Sequence, residues 1–429
     1  MGSVTAIKHR LLCAVFVILM MFCGQLLASI VTQIEFVGNE KTRDYILKQE
    51  MQTKIGNELD MALLKDDLQA IMNLGIFRDV DYYLYAADDN VQGHVKLIVV
   101  VREKYYMVVI PEIRFDEADK AFRLGILGYW DNIFGSNQRL HLKTREFGGI
   151  LGVDDIRHEL TYEIPRLYGS AFNFTVFGHL REAAIVEANV DAQARKEKKY
   201  GFDVLRWRHL KNRSSGWYMG AGLYHEERNN EALVAGDVSE PDYQGKFWGL
   251  RVGYKKVDEY LFNRRGKDFG YTIDTTRLLF DAEQNHTKHL LFYKGYYRLK
   301  SSPLNNLNAR VELGVSEGEY LGDTEFYLGG SELRGYIKNY YSGNVRVLMN
   351  LEYLKPFTNN PSYRYGMLFD LGNTYDSFDE IELAHLHPAI GVAFRWKLAA
   401  FVNVNLRMDI GYAIDTGDSN VLINSRHLF

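Results

Sequence analysis

One arginine stands out among the residues that could do chemistry in this sequence: Arg334, in the stretch FYLGGSELRGY (326–336). It lies between Leu333 and Gly335, and two further glycines, Gly329 and Gly330, precede it. Glycine allows the backbone to turn sharply, and a guanidinium group held in a fixed geometry binds a carboxylate through two parallel hydrogen bonds. The chemistry expected of this stretch is therefore ion pairing, provided that the fold brings carboxylates to Arg334.

The other reactive residue types form no catalytic or metal-binding pattern. The 12 histidines do not have zinc-site spacing, and His385 and His387 lack a third ligand nearby. The sequence contains no G-x-S-x-G or P-loop motif. We therefore expect no enzymatic activity, no metal and no cofactor. The net charge of −4, without a basic run, also argues against nucleic acid as a partner.

Residues 1–29 are predicted to be a secretory signal peptide. Basic residues at 8–10 precede the apolar run LLCAVFVILMMFC (11–23), and GQLLAS follows with Ala28 as the candidate last residue before cleavage. The run is shorter than the ~20 residues that a transmembrane helix needs. A lipoprotein signal at Cys23 is the weaker alternative, because bulky residues precede it. Since Cys13 and Cys23 are the only cysteines, we expect the mature chain to lack thiols and disulfides.

Residues 30–104 are predicted to form a small α+β domain in the order β-α-α-β-β. Gly38 lies in a Gly-Asn turn after the first strand, Gly75 ends the second helix, and Phe77 packs beneath the sheet. The segments IEFVGNEKT, IGNELD, IMNLGIFRDV and VKLIVVVREK resemble a POTRA domain, the periplasmic module of outer-membrane assembly and secretion proteins. That resemblance implies that an unfolded client chain pairs with an edge of this sheet.

Residues 105–429 alternate between apolar and polar side chains, as VNVNLRMDIGYAID (402–415) illustrates. A soluble two-sheet protein would also alternate. Strands of about 10–14 residues, an aromatic-edged apolar face and alternating short and long connections favour a transmembrane barrel. Sixteen antiparallel strands are predicted, at 105–115, 121–132, 137–147, 154–165, 170–181, 197–209, 216–229, 244–257, 267–281, 287–301, 305–317, 344–356, 363–375, 388–398, 402–415 and 420–429.

Three motifs of the predicted barrel resemble the BamA/TamA-like outer-membrane assembly and two-partner-secretion superfamily, the bacterial surface antigen family. They are GYWDNIFGSNQRLHLKT (128–144), YEIPRLYGS (162–170) and LGGSELRGY (328–336). The resemblance implies a member with one POTRA domain, in which the last motif lies on a long loop that folds back into the barrel lumen.

Strand alternation places two carboxylates on the inward face, Glu352 in NVRVLMNLEYLKP and Asp370 in YRYGMLFDLGNTY. The family resemblance implies that Arg334 pairs with Asp370, and with Glu352 as well, so that Arg334, Gly335 and Tyr336 hold the loop inside the barrel. Arg395 is a further inward residue that the family pattern contains. An exposed turn arginine without a partner is the alternative for Arg334.

We expect the barrel to have a weak seam between its first and last strands, represented by Val108, Ile110, Val421 and Phe429. A client strand could add at this seam. The functional hypothesis is an outer-membrane protein of a Gram-negative bacterium that inserts or translocates polypeptides, with its POTRA domain in the periplasm.

The partners expected from this hypothesis are membrane lipid, unfolded outer-membrane or secreted polypeptides, and periplasmic chaperones or accessory subunits. Two alternatives stay open. One is a passive porin-like channel or surface antigen, and the other is a secretion pore for one dedicated partner protein.

Overall fold

The computed structural model describes residues 29–87, 91–116, 121–150, 153–187, 190–209, 215–234, 242–277, 285–300, 302–318, 326–357, 360–402 and 404–424. The predicted signal peptide, apart from Ser29, lies outside the described residues, as do both cysteines and Phe429.

The N-terminal domain is a three-stranded sheet covered by two helices. Strand order is β1-β3-β2, in which β1 runs parallel and β2 antiparallel to β3. The elements are β1 (Ile30–Val37), α1 (Asp44–Glu50), α2 (Met61–Met72), β2 (Phe77–Ala86) and β3 (His94–Glu103).

Local capping sets where the second helix begins but not where the first begins. The Asp60 carboxylate accepts hydrogen bonds from the N–H groups of Ala62 and Leu63, at 2.8 and 3.2 Å. The residue that precedes α1 is Arg43, whose side chain makes no capping hydrogen bond. The hydroxyl of Thr42, one residue earlier, donates instead to Glu103 at the end of β3, at 2.6 Å.

Gly38, Gly75 and Phe77 occupy structural positions in this domain. Both glycines have positive φ, 88° and 76°. A side chain on Gly38 would also meet the Val101 carbonyl oxygen at 2.1 Å. Phe77 is the first residue of β2 and is fully buried in the domain core.

The rest of the chain forms one antiparallel sheet of sixteen strands, in which neighbours along the chain are neighbours in the sheet. The strands are β4 (Met107–Asp116), β5 (Ala121–Ile133), β6 (Gln138–Ile150), β7 (Val153–Ile164), β8 (Phe172–Glu187), β9 (Val190–His209), β10 (Gly216–Ala232), β11 (Tyr243–Glu259), β12 (Arg264–Thr275), β13 (His286–Leu299), β14 (Ser302–Gly318), then, after the insertion described next, β17 (Val345–Phe357), β18 (Asn360–Tyr375), β19 (His387–Lys397), β20 (Asn405–Ala413) and β21 (Ser419–Asn424).

A hairpin interrupts this order between β14 and β17. Its strands are β15 (Phe326–Leu328) and β16 (Tyr341–Gly343), which pair only with each other. Three short 3-10 turns lie elsewhere in the connections, at Leu167–Gly169, Phe378–Glu380 and Leu383–His385.

Hydrogen bonds just outside the strands join the start of β4 to the β19–β20 connection at the other side of the sheet, which closes the sheet as a barrel. Tyr105, before β4, forms a parallel bridge with Phe401, before β20. The Tyr105 N–H donates to the Ala400 carbonyl at 2.7 Å, and the Val402 N–H donates to the Tyr105 carbonyl at 3.2 Å. The predicted sixteen-strand architecture is therefore confirmed.

Along the strands, apolar side chains point outward and polar ones inward, as a membrane barrel requires. Outward residues such as Met367, Val392 and Ile423 are 72%, 54% and 69% exposed. In contrast, Asp370 on the inward face is fully buried. Neither α-helix in the described part of the chain is long and apolar enough to cross a membrane.

Several strands continue well past their predicted ends. β8 has 16 residues and β9 has 20, so most of the predicted long loop at 182–196 is an extended hairpin. Charged residues of opposite sign face each other across it, with Lys196 at 3.1 Å from Glu182 and Arg181 at 3.7 Å from Glu197. Cross-strand pairs of this kind support a sheet without an apolar face.

The N-terminal domain is docked against four connections at one end of the barrel. Its core includes two barrel residues, Tyr106 and Val402, which explains why the predicted strand at 402–415 begins only at Asn405. Further contacts reach around the opening. They are Arg43 N–H to Gly135 O (3.0 Å), Arg166 to Glu50 (2.6 Å), Gln69 to Glu259 O (2.9 Å) and Glu259 N–H to Asn73 (2.8 Å). This end of the barrel is called the domain end below.

Candidate functional site

The FYLGGSELRGY stretch lies inside the barrel, with its backbone pressed against β20. An added side chain on Gly335 would lie 2.7 Å from the Ala413 nitrogen. One on Gly411 would lie 2.5 Å from the Arg334 carbonyl carbon and from the Gly335 nitrogen. Gly335 also has a φ of 113°, a conformation that other residues rarely adopt. The two glycines thus allow the loop and the barrel wall to meet backbone to backbone.

Arg334 binds Asp370 side-on from this position. Its Nε donates to Oδ2 at 2.7 Å and its Nη2 to Oδ1 at 2.5 Å, while its backbone N–H donates to Oδ2 at 3.0 Å. Both side chains are fully buried. A buried bidentate pair fixes the position of the arginine more strictly than a single ion pair would.

Two more acids and two more arginines complete a cluster around this pair, which we call the latch cluster: Arg334, Arg395, Arg407, Glu352, Asp370 and Asp409. Arg334 Nη1 lies 3.4 Å from Glu352 and 3.8 Å from Asp409. Arg395 pairs with Glu352, and with Asp409 at 2.6 Å. Arg407 pairs with Asp409. Three cations therefore meet three carboxylates, and the cluster is neutral as a whole.

Asn350 ties the latch cluster to the loop backbone. Its amide nitrogen donates to Asp370 at 2.8 Å and to the Glu332 carbonyl at 2.7 Å. Asn350 is fully buried beside the acid that it bonds. It therefore orients Asp370 and holds the chain two residues before Arg334 at the same time.

A second ionic contact holds the loop through Glu332. Its carboxylate lies 3.4 Å from Arg346 and 3.8 Å from Arg310 on the barrel wall. Both arginines also bind Glu312, each at 2.6 Å. Nearby, the Phe326 ring lies under the Arg346 guanidinium at 4.9 Å.

The C-terminal side of the motif is fixed by Tyr336. The Tyr336 hydroxyl donates to the Asp415 carboxylate, and the Asn420 amide donates to the Tyr336 carbonyl at 2.9 Å. His387 also bonds Asp415 and stacks on Tyr341 with ring centroids 4.1 Å apart. Burial alone would raise the pKa of Asp415, but the hydrogen bonds from Tyr336 and His387 outweigh it and hold that pKa below its ordinary value.

Comparison with known families decides which class of barrel carries this site. Residues 132–423 match the Omp85 superfamily domain, which is more than half of the chain. The chain belongs to the Omp85 superfamily. Residues 29–104 match the POTRA family, described as a surface antigen variable number repeat. This Omp85 protein is thus an outer-membrane protein with a POTRA domain, and the family resemblance of its motifs is confirmed.

Solved structures share the fold of this Omp85 protein at low sequence identity. CdiB from Escherichia coli is 13% identical with a TM-score of 0.65, covering 92% of this chain and 75% of that one. CdiB from Acinetobacter baumannii is 14% identical with a TM-score of 0.59, covering 92% and 73%. BamA from Haemophilus ducreyi lacking POTRA domains 1–3 is 14% identical with a TM-score of 0.54, covering 92% and 84%. No curated protein matches the chain.

The structure brings together the Omp85 residues that we placed at the latch: Arg334, Gly335, Tyr336, Glu352, Asp370 and Arg395. It adds Asp409, Arg407, Asn350 and Glu332, which the motif comparison did not single out. Strand alternation could have found Asp409 and Arg407, because both lie on the polar face of VNVNLRMDIGYAID. Alternation also puts Asn350 on the inward face with Glu352, and Glu332 lies within LGGSELRGY. No local signal marks the partners of these two residues, because the partners come from other strands.

The seam residues lie where expected along the chain but on different faces. Val108 and Ile110 belong to β4 and Val421 to β21, the two end strands of the sheet. Val421 is 57% exposed on the outer wall. Val108 and Ile110 face inward, whereas Val109 between them is 63% exposed. The outward residue of β4 that matches Val421 is therefore Val109. Phe429 lies outside the described residues.

Proposed function

We propose that this Omp85 protein inserts or translocates polypeptides at the outer membrane of a Gram-negative bacterium, with its POTRA domain in the periplasm. The observation that carries the proposal concerns the two end strands. Within the described residues, β4 pairs only with β5 and β21 only with β20. An end strand with a free edge can accept a client strand without loss of pairing elsewhere in the barrel.

Client capture is assigned to β2 of the POTRA domain. β3 is the central strand, so β1 and β2 are the edges of the three-stranded sheet. β1 is partly covered, because Ile30 bridges to Glu58 in the same domain. β2 presents Tyr83 and Tyr85, 53% and 54% exposed, along an edge that an extended chain could extend.

The latch cluster is assigned a positioning role in this process. Arg334 holds the loop across the lumen beside β20, one strand away from the β21 edge. The cluster is buried and charge-balanced, so its attraction is largely offset by the cost of removing the charges from water. Its main effect is to select one position of the loop, and its contribution to the stability of the protein is small. No chemical step is assigned to any residue, so the proposed activity is not enzymatic and needs no cofactor. Binding and conformational energy drive it.

Depletion of the protein tests the proposal directly. In cells whose only copy is switched off, the abundance of outer-membrane and exported proteins is measured by quantitative proteomics. We expect several outer-membrane barrels to fall together. The loss of one exported protein alone would instead indicate a dedicated secretion pore. An unchanged outer-membrane and exported proteome would contradict the proposal and favour a passive channel.

A further inference from the structure

A small cavity at the domain end of the lumen has four cations and one acid among its lining residues. Its volume is about 50 Å³, and its lining includes Arg264, Arg364, Arg395 and Lys397, together with the hydroxyl-bearing Ser362 and one acid, Glu352. The latch cluster borders it through Arg395 and Glu352. This space is called the basic cavity below.

The acids near the basic cavity already have cationic partners. Glu352 binds Arg395 and Arg334 of the latch cluster. Glu259 lies 2.8 Å from Arg264. Among the described residues, the acid that lines the cavity (Glu352) and the acid that acts on Lys397 (Glu259) are therefore already paired.

Two cations of the cavity wall lack a carboxylate at contact distance within the described part of the chain. The terminal nitrogens of Arg364 donate hydrogen bonds to three backbone carbonyls, those of Phe262 (2.9 Å), Leu304 (2.9 Å) and Leu354 (3.4 Å). The Lys397 ammonium makes no hydrogen bond and no ion pair with any described residue, although its backbone carbonyl accepts from Ala399 N–H at 3.0 Å.

The charges that act on Lys397 are mostly of its own sign. Lys104, Arg264 and Arg364 repel it, and Glu259 is the one acid that acts on it prominently, already bound to Arg264. Lys104 itself is 8% exposed, and burial lowers its pKa to about 8, with Glu259 and Asp131 opposing that shift. An unpaired ammonium group among like charges in a confined space is unfavourable unless an anion joins it.

We propose that the basic cavity binds a single carboxylate group, held by the Lys397 ammonium and the Ser362 hydroxyl in the field of Arg364. The space suits such a group, since about 10–15 Å³ on the same measure of volume already holds one water molecule. A phosphate is less well matched. The terminal nitrogens of Arg364 already bind carbonyls, so the bidentate grip that guanidinium gives to phosphate is not free.

The position of the cavity points to the source of the carboxylate. It lies at the domain end, beside the β11–β12 connection to which the POTRA domain is docked. The free C-terminal carboxylate of a polypeptide delivered from the POTRA side could enter the basic cavity. This assignment of the source rests on the proposed function, whereas binding of a carboxylate to the cavity does not.

Thermal unfolding of the purified full chain in detergent tests the site, with formate as the probe. Ionic strength is held constant with the sodium salt of HEPES, whose anion is too large for the cavity. We expect formate to raise the Tm in a saturable way. Lys397→Met should raise the Tm in the absence of formate, because it removes an amino group that has no partner among the described residues. The same substitution should raise the Kd for formate by about tenfold or more. A tenfold rise corresponds to a loss of about 1.4 kcal/mol of binding free energy.

Lys355→Met is the matched control, because Lys355 is an exposed lysine at a strand end with its ammonium 4.9 Å from the outward Tyr365 ring. Its response to formate should equal that of the wild type. The proposal is overturned if formate leaves the wild-type Tm unchanged, or if Lys397→Met responds to formate as the wild type does.

The source of the carboxylate is tested with tri-alanine as the free acid and as the C-terminal amide, in competition with formate. Competition by the acid and not by the amide supports a chain terminus as the ligand. If formate binds but the acid does not compete, the assignment to a chain terminus is wrong and the ligand is a free small anion. Neither result depends on whether depletion affects other outer-membrane proteins, so the two proposals fail separately.

Discussion

The effect of Arg334 on the position of the loop depends on its buried partners and not on its charge alone. A surface ion pair contributes about 0–1 kcal/mol, and side-chain entropy opposes it. Arg334 and Asp370 are instead fully buried, and their side-on geometry is supported by Asn350 and by neighbouring charges. Removal of either partner would leave a buried charge without compensation, whereas removal of both would not.

Arg334→Ala should therefore release the loop. We expect it to cost about 3–5 kcal/mol of the free energy that holds the loop in the lumen, since Asp370 stays buried without its cation. The readout is trypsin cleavage after Lys338, an exposed loop residue four positions beyond Arg334. Cleavage should be faster than in the wild type, and the noise of single-channel currents should rise.

Two further variants separate the ion pair from a general loss of charge. Arg334→Ala combined with Asp370→Asn should recover part of the protection, because no unpaired buried charge remains. Arg206→Ala, at an exposed arginine near the Phe172 ring, should behave as the wild type. If Lys338 is as well protected in Arg334→Ala as in the wild type, the latch cluster does not hold the loop.

At the scale of elements, the loop and β20 depend on a close approach of two backbones. Gly411 in β20 faces the carbonyl carbon of Arg334 and the nitrogen of Gly335, each 2.5 Å from where a side chain would begin. This distance is too short for any side chain, so the loop has to move if one is added.

Gly411→Ala should therefore expose the loop even though it leaves every charge of the latch cluster in place. Trypsin cleavage after Lys338 should rise toward the rate of Arg334→Ala. Gly178→Ala in β8 is the matched control, because nothing lies within 4 Å of the position of its added carbon. Equal cleavage rates in the two glycine variants would count against backbone contact as the reason for the loop position.

The segment between β3 and β4 should make stability depend on pH. Burial lowers the pKa of Lys104 to about 8 in the folded chain, below the ordinary value of 10.5. Between these values the unfolded chain holds a proton that the folded chain has released, so the free energy of unfolding should rise with pH from about 8 to 9.5. Lys104→Met should flatten this rise, as measured by urea unfolding at both pH values.

Lys65→Met provides the comparison, because Lys65 is an exposed lysine on α2 of the same domain. Its slope with pH should match that of the wild type. A Lys104→Met protein that keeps the full wild-type slope would show that burial of Lys104 does not govern this dependence.

At the scale of the whole molecule, the order of the barrel strands and the lumen-facing positions of the latch cluster's acids could be predicted from the sequence. Alternation depends on local side-chain type, so it places Glu352, Asp370 and Arg395 inside without any knowledge of their partners. The glycines and the arginine of LGGSELRGY were equally readable, because a motif is a local property. The pairing of Arg334 with Asp370 came from the family resemblance.

Features that depend on contacts between distant segments could not be read in the same way. The β8–β9 hairpin continues into residues that carry charges on both faces, and only cross-strand partners such as Lys196 and Glu182 reveal it as a sheet. Val402 alternates correctly with the residues after it, yet it packs into the core of the POTRA domain. Thr42 is a good capping residue by type, but Glu103 is its partner.

Within the described residues, few contacts close the barrel at its seam. At the domain end, the backbone of Tyr105 joins residues 400–402, and Tyr106 and Val402 anchor both sides of that junction in the POTRA core. Further along, the described parts of β4 and β21 form no ladder with each other. The proposed activity requires this junction to open for a client strand.

A reversible disulfide across the seam tests that requirement most directly. Val109→Cys is combined with Val421→Cys or Ile423→Cys, since all three side chains point outward, and the pair with the higher crosslinking yield is used. The pair Val252→Cys and Tyr271→Cys, register partners on β11 and β12, serves as the control lock. Outer-membrane and exported proteins are quantified in cells that contain only the variant, with and without reductant. We predict that the seam lock reduces these proteins as depletion does, that reductant restores them, and that the control lock has no effect. Normal levels with the seam fully crosslinked would contradict lateral opening.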